Sequence, residues 1–186
     1  MIYLTPIQKD DFSLLSIADW RNQTLISLRS SHRTEMEIHS QNRWVHNWKA
    51  AGDEYYFIKT RNDGQLVGYC GLDKISKVNK TAEMSLLIGS EFHRKGLGKY
   101  AVRSLLGHGF EVLGLNCIFI EVYRTTTAWQ FWEKCGFIQE GTLKARKYWE
   151  GCIYDSVAAC MLENEYLQLK VYQNGCFEGE RNEKIQ

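Results

Sequence analysis

Apolar positions along the chain repeat with a period that changes from one segment to the next. Residues 2–5 are apolar enough for a short strand. Leu15 and Ala18 have the spacing of one face of a first helix, and Val45 and Trp48 that of a second. The chain is therefore predicted to begin with a strand and two helices.

A hairpin is predicted after the second helix. The segment 54–75 contains two β-rich runs on either side of Asn62-Asp63-Gly64, where Asp-Gly supplies the positive φ of a tight turn. A third run over 82–89 has the same character. Together these runs predict an antiparallel sheet.

The second half of the chain is predicted to alternate between helix and strand. A helix buried on one side ends near Gly114, since apolar residues recur at three and four positions at Val102, Leu105, Leu106, Phe110 and Leu113. A strand over 117–123 and a helix carrying Trp132 follow. The segment 142–162 is typical of two strands that turn near Glu150-Gly151.

The predicted order of elements is β, α, α, β, β, β, α, β, α, β, β. This order indicates a single α+β domain, or mixed α/β domain, over residues 1–168, in a chain of 186 residues. The remaining residues, 169–186, are polar with little periodicity and are predicted to be a C-terminal tail.

Composition excludes several classes of function. Lys and Arg number 23 against 22 Asp and Glu, so no nucleic-acid or membrane partner is expected. The six cysteines form no C-x-x-C pair and no Cys/His zinc spacing, so no metal is expected. Neither a targeting segment nor a membrane span is recognisable, and we expect a soluble, cytoplasmic protein with reduced thiols.

The segment "HRKGLGK", residues 93–99, has the chemistry of an anion site. It precedes a predicted helix, whose first N–H groups and dipole attract negative charge, and its glycines allow close approach of a ligand. Arg94, Lys95 and Lys99 add positive charge suited to phosphate. The segment by itself predicts phosphate binding.

Two familiar phosphate motifs fit this segment poorly. A P-loop needs four residues between its glycines and then Lys-Ser or Lys-Thr, which are absent. Gly96 to Ala101 matches G-x-G-x-x-A, and Glu121 lies where a ribose-binding acid is expected. However, residues 90–95 separate the strand from the first glycine, so a dinucleotide-binding interpretation is disfavoured.

Two segments of the chain resemble the GNAT superfamily of acyl-CoA N-acyltransferases. They are "AEMSLLIGSEFHRKGLGKYAVRSLL" and "LGLNCIFIEVYRTTTAWQFWEKCGFIQEG". Within this superfamily, the chain resembles the RimJ/RimL-type branch and the amino-sugar-nucleotide acetyltransferases of the pseudaminic-acid pathway. The segments that carry this resemblance are "DWRN", "NRWVHNW" and "EGTLKARKYWEGCIYDSVAACML". The resemblance covers residues 2–165. It implies a GNAT fold, with a central, mostly antiparallel sheet of about seven strands, a splayed parallel pair and about four flanking helices.

The resemblance also implies acetyl-CoA as cosubstrate, without a metal. In the family the CoA arm enters between two splayed strands, and the backbone of Leu86, Leu87 and Ile88 would pair with it. One of their N–H groups would polarise the thioester carbonyl. The diphosphate would lie on His93, Arg94, Lys95, Gly96, Leu97, Gly98 and Lys99. Thr125, which replaces the customary asparagine, and Trp132 would complete the cofactor site.

Acetyl transfer to an amine requires removal of a proton from the ammonium group. By resemblance Glu83 is the candidate base, although a salt-bridge role on a solvated strand is an equal alternative. Trp132 stands where the family often carries a tyrosine acid, and an indole cannot donate a proton at neutral pH. Either the thiolate leaves with the help of solvent, or another group serves as the acid. Tyr123, Tyr148 and Tyr154 are nearby, and Tyr148 is the catalytic candidate.

Residues for the acceptor are predicted on the first two helices and the last hairpin. Arg21, Trp44 and Tyr154 are the candidates, with core packing as the alternative for the tryptophan. The expected partner is a small-molecule amine, first an amino-sugar nucleotide. The alternatives are a protein N-terminus, a non-catalytic acyl-CoA-binding role and, last, an oxidoreductase. An exposed strand of the last hairpin favours a homodimer.

Overall fold

A computed structural model of the chain describes residues 1–8, 13–23, 38–124 and 128–171, without the side chains of 38–42. The strands are β1 (Ile2–Pro6), β2 (Glu54–Thr60), β3 (Leu66–Ser76), β4 (Thr81–Ile88), β5 (Cys117–Tyr123), β6 (Ile138–Trp149) and β7 (Cys152–Leu162). The helices are α1 (Ser13–Asn22), α2 (Ile38–Ala51), α3 (Leu97–Gly107), α4 (Ala128–Lys134) and α5 (residues 163–171). A 3-10 turn at Ser90–Phe92 precedes α3, and a π-helical turn at His108–Val112 continues it.

The seven strands form one sheet in the order β1-β2-β3-β4-β5-β7-β6. Every neighbouring pair is antiparallel except β4 and β5, which are parallel. The predicted fold class is therefore confirmed. The predicted hairpin between β2 and β3 is also present, and Gly64 in its turn has φ 70°.

The core has two parts, one on each face of the sheet. On one face α3, α4 and α5 cover β3, β4, β5 and β7, with Leu105, Ile118 and Met161 fully buried. On the other face α1 and α2 cover β2, β3 and part of β4, around Ile17 and Phe57. This second layer ends at β4, so the Glu83 face of β5, β7 and β6 has no helix of the described chain over it.

The predicted buried face of α1 needs a correction. Leu15 is 47% exposed, whereas Leu14 and Ile17 are fully buried and Ala18 lies beside them. A short helix with few apolar residues offers two overlapping stripes, and only contact with the sheet selects between them. In α2, Val45 and Trp48 are buried as predicted.

The C-terminal helix α5 was not predicted, and the boundary of the polar tail at residue 169 is wrong. The helix extends to residue 171, and Leu169 packs against the core beside Gly136. In α5 only Tyr166 and Leu169 contact the core. Two apolar positions are too few to show a helical period in the sequence.

Strand β6 lies at the edge of the sheet and is mostly exposed. Pairing of this edge across a two-fold axis, as expected from the sequence, stays a prediction. No helix in the described part of the chain is long and apolar enough to cross a membrane.

We expect Gly71→Ala to lower the free energy of unfolding by about 1–3 kcal/mol. The ring of Tyr55 lies over Gly71, and an added Cβ would come within 2.6 Å of its Cε1 atom. Gly141→Ala in β6 is the matched control, because no atom lies within 4 Å of its added Cβ. Urea unfolding measures both, and equal midpoints would contradict the close packing of Tyr55 on β3.

Candidate active site

Strands β4 and β5 are paired at three positions only and then separate. The paired residues are Thr81 with Cys117, Ala82 with Ile118 and Glu83 with Phe119. β4 continues to Ile88 and β5 to Tyr123 without further pairing between them. The splay of the parallel pair leaves a gap bordered by the backbone of both strands, and such backbone groups need hydrogen-bond partners.

Alternate residues of β4 present their backbone to this gap. The N–H of Gly89 donates to the carbonyl of Val67 at 2.9 Å, so odd-numbered residues here face β3. The N–H and C=O groups of Leu86 and Ile88 therefore face the gap, whereas those of Leu87 face β3. Of the three residues predicted to contact the CoA arm, the structure places two at the gap.

The loop before α3 is tied to the end of β4. Nε2 of His93 lies 2.9 Å from the carbonyl oxygen of Ile88. Because a carbonyl can only accept, this nitrogen carries the proton. His93 thereby holds the start of the loop against the gap.

The same loop leads into a helix that no side chain caps. Gly96 has φ 74° and ψ −4° at the N-cap, and Arg94 has φ 60°. The exposed first N–H groups of α3, together with Lys95 and Lys99, can bind an anion. Leu97 begins the helix. The loop thus has a backbone conformation compatible with anion binding, and the phosphate site itself stays a prediction.

Helix α4 packs against the first turn of α3. A Cβ on Gly98 would lie 3.2 Å from the ring of Phe131, so a larger residue would force a shift. Trp132 is 9% exposed and belongs to the core, not to the gap. Burial raises the pKa of the neighbouring Cys135 thiol to about 11. Thr125 lies outside the described residues.

Glu83 occupies the last paired position of β4, where the gap opens. Its side chain is 20% exposed, and Oε2 lies 2.5 Å from Nζ of Lys74. Burial raises the pKa of Glu83, the Lys74 ammonium opposes the rise, and the charge of Asp73 adds to it. The salt bridge expected as the alternative role of Glu83 is therefore present. The pKa of Glu83 is nevertheless raised, which suits a general base.

Asp73 is an unpredicted carboxylate directly opposite Glu83 on β3. The hydroxyls of Tyr55 and Ser85 both donate to its Oδ2, the second at 2.7 Å. Burial and the adjacent carboxylate raise the pKa of Tyr55, so this phenol keeps its proton. Alternation in β4 places Ser85 with Glu83, but only the cross-strand register brings in Asp73 and Tyr55.

Glu121 on β5 is the third carboxylate of this face. Its Oε1 accepts a hydrogen bond of 2.6 Å from the hydroxyl of Ser156. Its charge also contributes to the raised pKa of Glu83. Within the described ranges, no three His, Cys, Asp or Glu side chains are arranged to hold a metal ion. The cluster has the charge to receive a cation such as an ammonium group.

An aromatic wall from α2 adjoins these carboxylates. The guanidinium carbon of Arg21, which is 6% exposed, lies 5.2 Å from the ring centroid of Trp44. The Trp44 ring lies 4.8 Å from that of Tyr55, which bonds to Asp73. The structure brings these two predicted acceptor residues together and connects them to the carboxylates.

Tyr148 and Tyr154 lie on different faces of the last hairpin. Strand register places Tyr154 on the face that carries Glu83 and places Tyr148, opposite Ile153, on the other. Tyr148 is 54% exposed near the turn. Nearby Cys152 raises the pKa of Tyr154. The structure does not bring the predicted catalytic Tyr148 to Glu83.

We expect Glu83→Gln to raise the unfolding temperature at neutral pH. The native state holds the Glu83 proton more tightly than the unfolded chain does, so the charged form is penalised above the native pKa. The penalty fades as pH falls from the native pKa to the unfolded pKa, and the two proteins should converge toward about pH 4. Scanning calorimetry across this range measures the difference.

The ion pair with Lys74 is already included in this balance, because its ammonium lowers the pKa that burial raises. Lys74 is 71% exposed, and such pairs contribute about 0–1 kcal/mol. Lys74→Met keeps the buried carboxylate and removes only the cation, so it should lower the unfolding temperature at neutral pH. A Glu83→Gln variant that is much less stable than the wild type would show that Glu83 is a structural ion-pair residue.

The chain is similar to proteins named as N-acetyltransferases. Spermidine N(1)-acetyltransferase of Vibrio cholerae is 27% identical over 115 residues, which are 61% of this chain and 66% of that protein. YdaF of Bacillus subtilis, named provisionally as a ribosomal N-acetyltransferase, is 33% identical over 110 residues, 56% of this chain and 57% of that protein. The matches thus span less than two thirds of the length of these relatives.

A solved structure shares the fold. Spermidine N-acetyltransferase from Vibrio cholerae in complex with CoA and spermine gives a TM-score of 0.81 at 21% identity, over 89% of this chain and 98% of that one. The model of the acetyltransferase (GNAT) family matches residues 15–137, which include β4, the loop, α3 and β5. Since this match covers more than half of the chain, the protein belongs to the acetyltransferase (GNAT) family.

Proposed function

We propose that the protein transfers an acetyl group from acetyl-CoA to a primary amine, with a polyamine such as spermidine as the preferred acceptor class. The observation that carries the proposal is the gap between β4 and β5, with Glu83 at its closed end and the cationic loop at its open end. Membership of the family supports acetyl transfer. The names of the relatives support an amine acceptor.

The residues at the gap fit acetyl-CoA, which when bound supplies an activated acetyl group as a thioester. The backbone groups of Leu86 and the N–H of Ile88 face the gap and can pair with amides of the CoA arm or polarise the thioester carbonyl. Arg94 and Lys95 lie beside the uncapped start of α3 and suit the diphosphate.

Glu83 is proposed to accept the proton of the acceptor's ammonium group. An alkylammonium near pKa 10 is mostly charged at neutral pH and cannot attack until it loses a proton. Glu83 combines burial with a position at the closed end of the gap. Lys74 stabilises its charged form, which is the form that accepts the proton.

The charges around the gap favour a cationic acceptor. Asp73, Glu83 and Glu121 lie on one face, and hydroxyls hold the first and the last in place. These carboxylates attract a polyamine and repel a nucleotide diphosphate. The amino-sugar nucleotide expected first from the sequence therefore has no support from this site or from the named relatives.

A protein or ribosomal amine is the second candidate acceptor. YdaF, the more identical of the two relatives compared, carries a ribosomal name. The same carboxylates would receive the ammonium group of an N-terminus. A non-catalytic acyl-CoA-binding role is the remaining alternative from the sequence, and turnover with any amine would exclude it.

Acetylation of an amine panel tests the proposal. Purified protein with acetyl-CoA is assayed for released thiol, and the products are identified by mass spectrometry, with spermidine, spermine, a UDP-linked amino sugar and N-terminal peptides as acceptors. We expect a polyamine to give a kcat/KM at least about tenfold above the others, since each lost charge contact costs about 1.4 kcal/mol or more.

Other results have distinct meanings. A peptide as best acceptor would replace polyamines with the second candidate, and CoA binding without any turnover would leave a binding protein. With an acetylated amine in hand, Glu83→Gln should lower kcat/KM and remove the acidic limb of its pH profile. An unchanged limb would show that Glu83 is not the base.

We also expect Gly96→Ala to weaken CoA binding at least about tenfold, because a Cβ at φ 74° strains the loop that orients the first N–H groups of α3. Gly114→Ala is the matched control, with φ 64° and equally open surroundings away from the gap. Both should lose similar stability. Isothermal titration with CoA should show weaker binding by the Gly96→Ala variant than by the Gly114→Ala variant. Equal affinities of the two variants for CoA would place the diphosphate elsewhere.

A further inference from the structure

The departing CoA thiolate needs a proton, and α4 does not supply the donor. Trp132 stands where the family often carries a tyrosine, and its ring is buried in the core. Any replacement must lie at the gap between β4 and β5. The described tyrosines near it therefore have to be compared by position.

Tyr123 is the last residue of β5 and lies at the gap. From the last paired position, Glu83 with Phe119, Tyr123 is four residues further along β5 and Leu87 is four residues further along β4. Tyr123 thus lies at the level where Leu86 and Ile88 turn their backbone toward the gap. This is the level at which the thioester carbonyl would be polarised.

Tyr123 also lies on the face of the sheet that carries Glu83. It is opposite Ser156 on β7, and the Ser156 hydroxyl bonds to Glu121 on the same face. Tyr148 fails on this criterion, since it lies on the other face and is 54% exposed. Position alone therefore selects Tyr123 over the tyrosine favoured by the sequence.

A buried cation contacts the Tyr123 ring. Nζ of Lys147 lies 5.0 Å from the ring centroid of Tyr123 and 5.1 Å from that of Trp149. Lys147 is 3% exposed and is the one buried residue of β6. A long charged side chain held between two rings fixes their positions. A positive charge this close to a phenol stabilises the phenolate relative to the neutral form.

Several ionisable groups of the described chain lie on the elements around this ring. They are Glu121 and Arg124 at the end of β5, Tyr154 on β7, Lys147 on β6, and Glu83 with Lys74 across the gap. Glu121 accepts from Ser156, and the guanidinium of Arg124 donates to Thr142. Among these groups, Lys147 has its ammonium against the face of the ring.

We propose that Tyr123 is the catalytic acid that gives its phenolic proton to the departing thiolate, and that Lys147 is the positioning residue that holds its ring and favours its anion. This inference rests on the proposed function. The amine nitrogen forms a bond to the acetyl carbon, and the carbon–sulfur bond breaks with its electron pair on sulfur. Before the attack, Glu83 passes the ammonium proton on to solvent and is again a carboxylate. The second proton, which the amine nitrogen loses as the amide forms, goes to Glu83, and the Tyr123 proton goes to sulfur. Solvent then returns a proton from Glu83 to the tyrosinate.

The test compares Tyr123→Phe, Tyr148→Phe and the control Tyr3→Phe in β1. We expect Tyr123→Phe to lower kcat about 100-fold, to remove the alkaline limb of the pH profile and to leave the affinity for CoA unchanged. The other two variants should keep the wild-type kcat and limb. Retention of both by Tyr123→Phe, or their loss in Tyr148→Phe, would overturn the inference.

Lys147 is tested by a readout that needs no turnover. Tyrosinate absorbance is titrated in the wild type, in Lys147→Met and in Lys147→Arg, and Tyr123→Phe identifies the relevant transition. Removing the cation should move the midpoint up by about one pH unit, and the alkaline kinetic limb with it, whereas arginine should preserve both. An unmoved midpoint in Lys147→Met would overturn the role of Lys147.

The two proposals fail in different ways. A protein that binds no CoA or acetylates no amine would refute the proposed function and the acid with it. A protein that acetylates an amine while Tyr123→Phe keeps the wild-type kcat would refute only the assignment of the acid.

Discussion

The separation of β4 from β5 beyond Glu83 and Phe119 is the constraint on which the site depends. Three paired positions keep the sheet continuous, and the next residues leave N–H and C=O groups that need partners. The loop at the start of α3 lies at the open end of the same gap, tied there by His93 to Ile88. One irregularity of the sheet thus leaves backbone donors and acceptors beside the loop that is proposed to bind the diphosphate.

Charge is separated along this gap. Cationic side chains and the start of α3 lie at the open end, and Asp73, Glu83 and Glu121 lie toward the closed end. Burying carboxylates costs free energy, which hydroxyl donors and the Lys74 ammonium partly offset. The remaining cost appears as the raised pKa of Glu83. Basicity at the site is therefore obtained at the expense of stability.

Helix α4 shows how a site can change without loss of the fold. Trp132 fills core space in the position where the family often carries a reactive phenol. The neighbouring Phe131 packs against Gly98 in the first turn of α3. A phenol with an adjacent buried ammonium lies on β5, beside the gap. Under the proposed assignment, a residue of β5 supplies the proton that a helix residue often supplies in the family.

The sequence by itself determined what depends on local chemistry: the order of elements from β1 to β7, the Asp63-Gly64 turn and the glycine segment before α3. The tertiary structure decided which residues meet across strands. A one-residue register shift between Gln139 and Gly141 changes the face of every later residue of β6, so alternation alone could not place Lys147 and Tyr148. Likewise, Asp73 joins Glu83 only through pairing of β3 with β4. Register is set by side chains distant in sequence, which no local pattern records.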